Sequence, residues 1–157
     1  MRIGIGYDIH PFGHAGTLVL GGVRFEGERG LEGHSDADVL VHAVIDALLG
    51  AAGLGDIGTH FPPGDPRWKG ADSIRLLEAA AAMLKERGLT VESLDSTVIA
   101  EAPRLAPHIA AMRERIARAL KADVTRVNVK ATSNEGLGAI GRGEGIAAMA
   151  VALLGEA

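Results

Sequence analysis

The chain has 157 residues, 47% hydrophobic and 23% charged, with a formal net charge of −4 and no cysteine. This length suits one domain around one core, so residues 1–157 read as a single domain. Interspersed charges without a basic tract argue against nucleic acid as a partner, and the missing cysteines remove disulfides and thiolate ligands. No apolar run reaches the roughly 18 residues of a membrane span, and a strand pattern occupies the place of a leader's apolar run. A cytoplasmic protein with no membrane partner is the default expectation.

Ile3, Ile5, Tyr7 and Ile9 alternate with Gly4, Gly6, Asp8 and His10, the period-2 signature of a half-buried strand. Residues 11–16 read as a loop. Leu18-Val-Leu20, Gly21-Gly22 and Val23-Arg-Phe25 then predict a hairpin with a two-residue glycine turn, followed by a polar loop over 29–34. Ser35 with Asp38 resembles a capping box, and Val39, Leu40, Ala43, Val44, Ala47, Leu48 and Ala51 predict a helix from about 36 to 52, stopped by Gly53. Residues 55–70, rich in Gly and Pro, predict a long loop of the kind that binds ligands.

Leu76, Leu77, Ala80 and Leu84 predict a second helix over 73–87, with Gly88 as its stop. Thr97-Val-Ile99 marks a strand, Ile109, Met112, Ile116 and Leu120 a third helix, and Val127-Asn-Val-Lys130 another strand. Residues 145–154 are ambiguous by pattern, their alanines favouring helix. The order β-ββ-α-α-β-α-β predicts a two-layer α+β or α/β domain.

Asp8 and His10 are the most informative pair. Residues i and i+2 of a strand share a face, with Cα atoms roughly 7 Å apart, close enough to converge on one metal ion. His42, on the first predicted helix, supplies a third ligand, and one carboxylate with two imidazoles suggests a zinc-like site with an open fourth position. The plain alternative for His42 is a partly buried imidazole bonded to a neighbouring aspartate. Asp46, at i+4 from His42, is the candidate partner that would orient it. His34 and Ser35 precede a helix start, where unpaired N–H groups and the helix dipole can cradle phosphate, although capping alone would explain the serine.

Gly136-x-Gly138-x-x-Gly141 matches the dinucleotide fingerprint literally, but that motif needs a βαβ unit of about 30 residues, and only 16 residues follow Gly141. What remains there is a strand end with Thr132, Ser133 and Glu135, two hydroxyls and a carboxylate suited to phosphate and a hard cation. Arg142 is an anion ligand or a solvated charge. His14, His60 and His108 have no partner at metal spacing and read as surface or structural residues.

These segments together resemble the 2-C-methyl-D-erythritol 2,4-cyclodiphosphate synthases of the non-mevalonate isoprenoid pathway. The resemblance runs through Gly6-Tyr-Asp-Ile-His-Pro-Phe12, Gly33-His-Ser-Asp-Ala-Asp38, His42, Asp46-Ala-Leu-Leu-Gly-Ala-Ala52 and Leu54-Gly-Asp-Ile-Gly58. It continues through Asp65-Pro66, Lys69-Gly-Ala-Asp-Ser73, Ala102-Pro103, Pro107-His108, Asn128-Val-Lys-Ala-Thr132, Glu135 and Gly141-Arg-Gly-Glu-Gly145. It implies a two-layer α+β sandwich with a mixed four-stranded sheet, packed as a homotrimer around a central axis. On that reading, residues 145–154 become a strand.

The activity implied is that of a phosphorus–oxygen lyase. It converts 4-diphosphocytidyl-2-C-methyl-D-erythritol 2-phosphate into the cyclic diphosphate and releases CMP. Asp8, His10 and His42 would hold zinc, and Glu135 would hold Mg²⁺ (or Mn²⁺). His34 and Ser133 would stabilise the transition state. Ala100, Pro103, Arg104, Leu105, Ala106, Ala131, Thr132 and Arg142 would meet the nucleotide and its phosphates. Ser35, Asp56, Ile57, Gly58, Phe61 and Asp65 would line the methylerythritol end, with the ligand residues Asp8 and His10 also touching substrate.

Four positions depart from the commoner pattern: Ser133 for threonine, Arg104 for lysine, Pro63 for an acidic residue and Ala139 for a bulky aromatic. Two other readings fit the same residues: a metal-dependent phosphohydrolase using the same three ligands, and a non-catalytic cytidine nucleotide-binding module.

Overall fold

The computed structural model describes residues 1–157. Five strands and five helices follow in the order β1 (Arg2–Leu20), β2 (Val23–Leu31), α1 (Val39–Ala52), α2 (Ile57–His60), α3 (Ser73–Glu86), β3 (Leu89–Ile99), α4 (Ile109–Leu120), β4 (Val127–Thr132), α5 (Gly138–Gly141) and β5 (Gly145–Glu156). The strands form one mixed sheet in the order β2-β1-β5-β3-β4. Only β3 and β4 pair in parallel, and α4 forms the crossover between them.

The sheet has five strands, not four, because β1 does two jobs. Arg2 to Pro11 pair antiparallel with β5, and Phe12 to Leu20 pair with β2, across register shifts between Phe12 and Leu18. The expected loop over 11–16 is therefore continuous strand. Its bulged register lets the chain bend from one partner to the next. The predicted glycine turn is present, with Gly21 and Gly22 both at positive φ. The polar segment expected to be loop from residue 29 is still β2 as far as Leu31.

Residues 145–154 are strand, part of β5. Their alanines face a helix layer that leaves no room for larger side chains: Ala148, Ala150 and Ala152 are fully or almost fully buried. Helix α1 also begins later than expected, at Val39. Its cap is Asp38, whose side chain accepts the Val41 N–H, rather than Ser35. Asp38 is completely buried and also accepts the N–H groups of Gly21 (2.9 Å) and Gly22 (2.7 Å), tying the hairpin turn to the helix start. Burial and the nearby charge of Asp36 push its carboxyl up to about 6, against the pull of those N–H donors.

The alternation in β1 holds, but its glycine face is the one that packs inward. Ile3, Ile5, Tyr7 and Ile9 point outward, Ile3 being 73% exposed, while Gly4 and Gly6 lie against α1. A Cβ at Gly6 would overlap the Ala43 carbonyl oxygen and stand 2.8 Å from the Ala47 nitrogen; one at Gly4 would overlap the Ala47 carbonyl. Helix and strand backbones therefore touch through Gly4, Gly6, Ala43, Ala47 and Ala51. Helices α1, α3 and α4 cover this one face, enclosing a core that includes Leu40, Leu48, Leu77, Met112, Ile116 and Ile146. No helix is long and apolar enough to cross a membrane.

Gly6→Ala is expected to lower the unfolding free energy by about 1–3 kcal/mol, as overpacking does in a close contact. Gly50 also sits in α1, but a Cβ there would meet nothing nearer than 4.0 Å, so Gly50→Ala should raise stability by about 0.5–1 kcal/mol. Urea unfolding of the two variants measures both.

Candidate metal and phosphate site

Asp8 and His10 stand on the α1-facing side of β1, and His42 lies on the first turn of α1. Three ligand-type atoms converge there. Asp8 Oδ2 is 2.9 Å from His10 Nε2 and 3.0 Å from His42 Nδ1, and the two ring nitrogens are 3.3 Å apart. Ligands about 2.0–2.1 Å from a tetrahedral ion lie roughly 3.3 Å from one another, so this triangle has the dimensions of one face of such a site. A carboxylate and two imidazoles are a donor set that zinc accepts, and the three form a candidate metal site.

The electrostatics agree with the geometry. Burial opposes the Asp8 charge, but the His10 and His42 rings, which when protonated donate hydrogen bonds to it and carry positive charge, hold its carboxyl down at about 2. Burial likewise opposes a charged His10, but the Asp8 carboxylate and the Glu32 carbonyl, 2.7 Å from Nδ1, raise its pKa above the usual imidazole value. The Glu32 carbonyl accepts a hydrogen from Nδ1, which aims Nε2 at Asp8.

The triangle opens into a cavity of about 300 Å³ that His34, Ser35, Ile57, Gly58 and Phe61 also line, together with Asp46, Pro63, Trp68 and Leu76. A larger hollow of about 770 Å³ lies between the C-terminal ends of α3 and α4, but it contains no carboxylate–imidazole cluster. Size alone would choose the wrong place. Trp68 was not singled out by sequence reasoning, and Pro63 and Leu76 were read only as a departure from the family pattern and as a helix core position, because loop and helix positions reveal no common wall until the chain is folded.

Two expected roles change, those of Asp46 and Ser35. Asp46 does not orient His42; its Oδ1 accepts the Ile57 N–H at 2.7 Å, pinning the cavity loop instead. Ser35 does not cap α1; its Oγ lies 3.0 Å from His42 Nε2. At the N-terminus of α1 the Asp38 carboxylate already accepts the Val41 N–H. Asp56 caps α2 through the Thr59 N–H and hydroxyl, both at 2.8 Å. The Asp65 carboxylate pairs with Arg67 at 2.7 Å, while its carbonyl lies 3.1 Å from His34 Nε2. His60 bonds the Leu54 carbonyl and His108 packs on Phe25, both as structural residues.

The other expected residues gather elsewhere. Ala100, Pro103, Arg104, Leu105 and Ala106 follow the end of β3, and Ala131, Thr132, Ser133 and Glu135 lie at the end of its parallel neighbour β4. The Ala100 N–H reaches the Thr132 carbonyl at 3.0 Å and joins the two segments. Ser133 Oγ is 3.4 Å from Glu135 Oε1, and Glu135 has a left-handed backbone (φ 53°). Glu101 steadies this turn by accepting the N–H groups of Asn134 (2.9 Å) and Gly136 (3.3 Å). Arg142 pairs with Glu144 at 3.0 Å on the surface. None of this second group lines the cavity beside His42.

The mixed α+β fold with its five-stranded sheet is one that known proteins share. The YgbB family model matches residues 1–155. The 2-C-methyl-D-erythritol 2,4-cyclodiphosphate synthase of Synechococcus elongatus is 58% identical over 153 residues, covering 98% of this chain and 96% of that protein. The enzyme of the same name from Geotalea uraniireducens is 60% identical, covering 98% of each. Among solved structures, a CDP-bound 2C-methyl-D-erythritol-2,4-cyclodiphosphate synthase superposes with a TM-score of 0.89 at 35% identity, over 98% of this chain and all of that one. The bifunctional IspDF of Campylobacter jejuni superposes at 0.96 with 44% identity, over 99% of this chain; the chain spans 42% of that longer protein. The chain belongs to the YgbB family of cyclodiphosphate synthases.

In metal-free protein the Asp8 shift makes stability depend on pH. A carboxyl lowered from 3.8 to about 2 contributes stability fully present above about pH 4 and lost as pH falls through 2. The raised His10 adds a contribution present below about 6.5 and lost as pH rises through its folded value. Urea unfolding in chelator is expected to show about 2 kcal/mol less stability for Asp8→Asn at pH 5. The difference should narrow toward pH 2.

Proposed function

We propose that this protein, acting in the cytoplasm as one domain over residues 1–157, converts 4-diphosphocytidyl-2-C-methyl-D-erythritol 2-phosphate into 2-C-methyl-D-erythritol 2,4-cyclodiphosphate and CMP. A 2-phosphate oxygen attacks the β-phosphorus, and the bond from that phosphorus to the bridging oxygen breaks, releasing CMP. The observation that carries this reading is the Asp8–His10–His42 triangle at the mouth of a cavity, in a chain of this family. The CDP bound to the related structures is a nucleotide of the expected kind.

The attacking group is already anionic, so the site needs no activated nucleophile. Positioning and charge stabilisation suffice. Bound zinc at Asp8, His10 and His42, and Mg²⁺ (or Mn²⁺) at Glu135, would supply Lewis-acid charge to phosphoryl oxygens. His34 stands at the cavity rim with its Nε2–H on the Asp65 carbonyl, a donor that would turn to phosphate when substrate binds, and the Ser133 hydroxyl donates from the second group of residues; both would stabilise charge developing at the attacked phosphorus. Thr132 and Ala131 contact the diphosphate. The segment carrying Ala100, Pro103, Arg104, Leu105 and Ala106 receives cytosine through backbone groups. Asp56, Ile57 and Gly58 meet the methylerythritol hydroxyls, Phe61 packs beside them, and Ser35 and Asp65 hold the cavity wall.

The nucleotide half stands apart from the cavity, and we assign it to a neighbouring copy in a homotrimer. The outward face of β1 and β5 supports this: Ile3, Ile5, Tyr7, Ile9, Met149 and Val151 make an exposed apolar surface in register across the two strands. Ile5→Lys should break the assembly, and light scattering should then read one chain mass in place of three. A trimer retained by Ile5→Lys would place the interface on another face.

Incubation with the diphosphocytidyl substrate and Mg²⁺ should release CMP. His42→Ala is expected to lose bound zinc and at least about 100-fold in turnover, whereas Glu135→Gln should weaken Mg²⁺-dependent turnover with zinc content intact. In ¹⁸O-water the product should carry no label. Label in the phosphate would instead identify a phosphohydrolase, and nucleotide binding without turnover would identify a binding module.

A further inference from the structure

His42 has two ring nitrogens in different surroundings. Nδ1 faces Asp8 and His10, whereas Nε2 points back into the protein, 2.9 Å from Ser73 Oγ and 3.0 Å from Ser35 Oγ. Ser73 is wholly buried at the first position of α3, and its hydroxyl bonds Asp36 Oδ1. Asp36 also accepts the Ser73 N–H on Oδ2 at 3.0 Å and the Asp38 N–H on Oδ1 at 3.1 Å.

The direction of each bond follows from this inventory. An ionised carboxylate only accepts, and Asp36 has backbone N–H donors on both oxygens, so the single Ser73 O–H hydrogen points at Asp36. Ser73 then offers His42 a lone pair. Nε2 must carry the hydrogen to bond it, and a neutral imidazole has only one N–H. Nδ1 is left bare, 3.0 Å from Asp8 Oδ2. Two acceptors facing one another at that distance call for a cation between them. If the Ser35 hydroxyl donated to Nε2 instead, the Ser73 lone pair would face the Nε2 lone pair at 2.9 Å.

We propose that Asp36 and Ser73 are positioning residues: the Asp36 carboxylate, acting through the Ser73 hydroxyl, holds His42 as its Nε2–H tautomer and so presents Nδ1 to a metal ion shared with Asp8 and His10. The metal half of this proposal rests on the zinc site described under the proposed function. The tautomer is a property of the metal-free protein and is measured without zinc.

The test is ¹⁵N–¹H correlation of the histidine rings in metal-free protein at about pH 8, where imidazole is neutral, with His42→Ala assigning the His42 signals. The parent should show His42 protonated on Nε2. In Asp36→Asn either placement of the carboxamide sets its N–H₂ against a backbone N–H; at the Oδ1 site it donates to Ser73 Oγ and turns the hydroxyl hydrogen toward Nε2, so a share of His42 should appear as Nδ1–H. Zinc affinity, measured by chelator competition, should fall about 10- to 100-fold. Ser73→Ala removes one oxygen with little change in shape; it should weaken zinc binding even if Asp36→Asn does not fold. A purely structural role would lower the melting temperature and leave the tautomer and the zinc affinity of the folded molecules unchanged. An Nδ1–H tautomer in the parent, or unchanged zinc affinity in both variants, would overturn the proposal. A parent with the Nε2–H tautomer that took up no zinc would uphold the relay and remove the metal reading.

Discussion

The backbone contact between β1 and α1 is the constraint on which the rest of the molecule depends. It exists because Gly4 and Gly6 have no Cβ where the Ala43 and Ala47 backbone passes. Asp8 and His10 continue the same face of the strand, and His42 stands beside Ala43 on the helix. The distance that lets the two backbones touch is therefore the distance that brings three ligand atoms within 3.3 Å of one another. A helix resting on ordinary side chains sits roughly 10 Å from a sheet, whereas here the two backbones are in contact.

Asp38 secures that contact from the other end. One buried carboxylate accepts N–H groups from Gly21, Gly22 and Val41, so the hairpin turn and the helix start share an anchor. An unpaired buried N–H costs on the order of 1–3 kcal/mol, which makes this junction hard to rearrange. Asp36, two residues earlier, ties the same turn to α3 through Ser73. Between the two aspartates Ala37 takes a left-handed backbone (φ 57°), which turns their carboxylates to different partners. One short segment thus holds three elements around His42.

Much of this was legible in the chain. Period-2 alternation located β1 and put Asp8 with His10 on one face; helical periodicity located α1, α3 and α4; Gly21-Gly22 located the hairpin. The failures have physical causes. The alanine run of β5 reads as helix because alanine favours helix when nothing else decides, but here the small side chains answer the close helix layer. Residues 11–16 read as loop because Pro, Gly and His interrupt the pattern, yet a bulged strand tolerates them. Asp46 has helical spacing from His42, but the nearby Ile57 N–H needed an acceptor and took it.

By itself the sequence determined which residues could be ligands and which of them shared an element: Asp8 and His10 by strand alternation, Ser133 and Glu135 by proximity, and the family by the order of its motifs. Only the tertiary structure decided which face of β1 is inside, that His42 meets the pair from another element, and that Ser73 rather than Asp46 stands behind its ring. The physical reason is range. Alternation, capping and turn chemistry act over a few residues and leave a local trace. The helix–strand contact and the contacts of His42 with Asp8, His10 and Ser73 join residues more than 30 positions apart, and they form only when the glycine face of β1 accepts the helix.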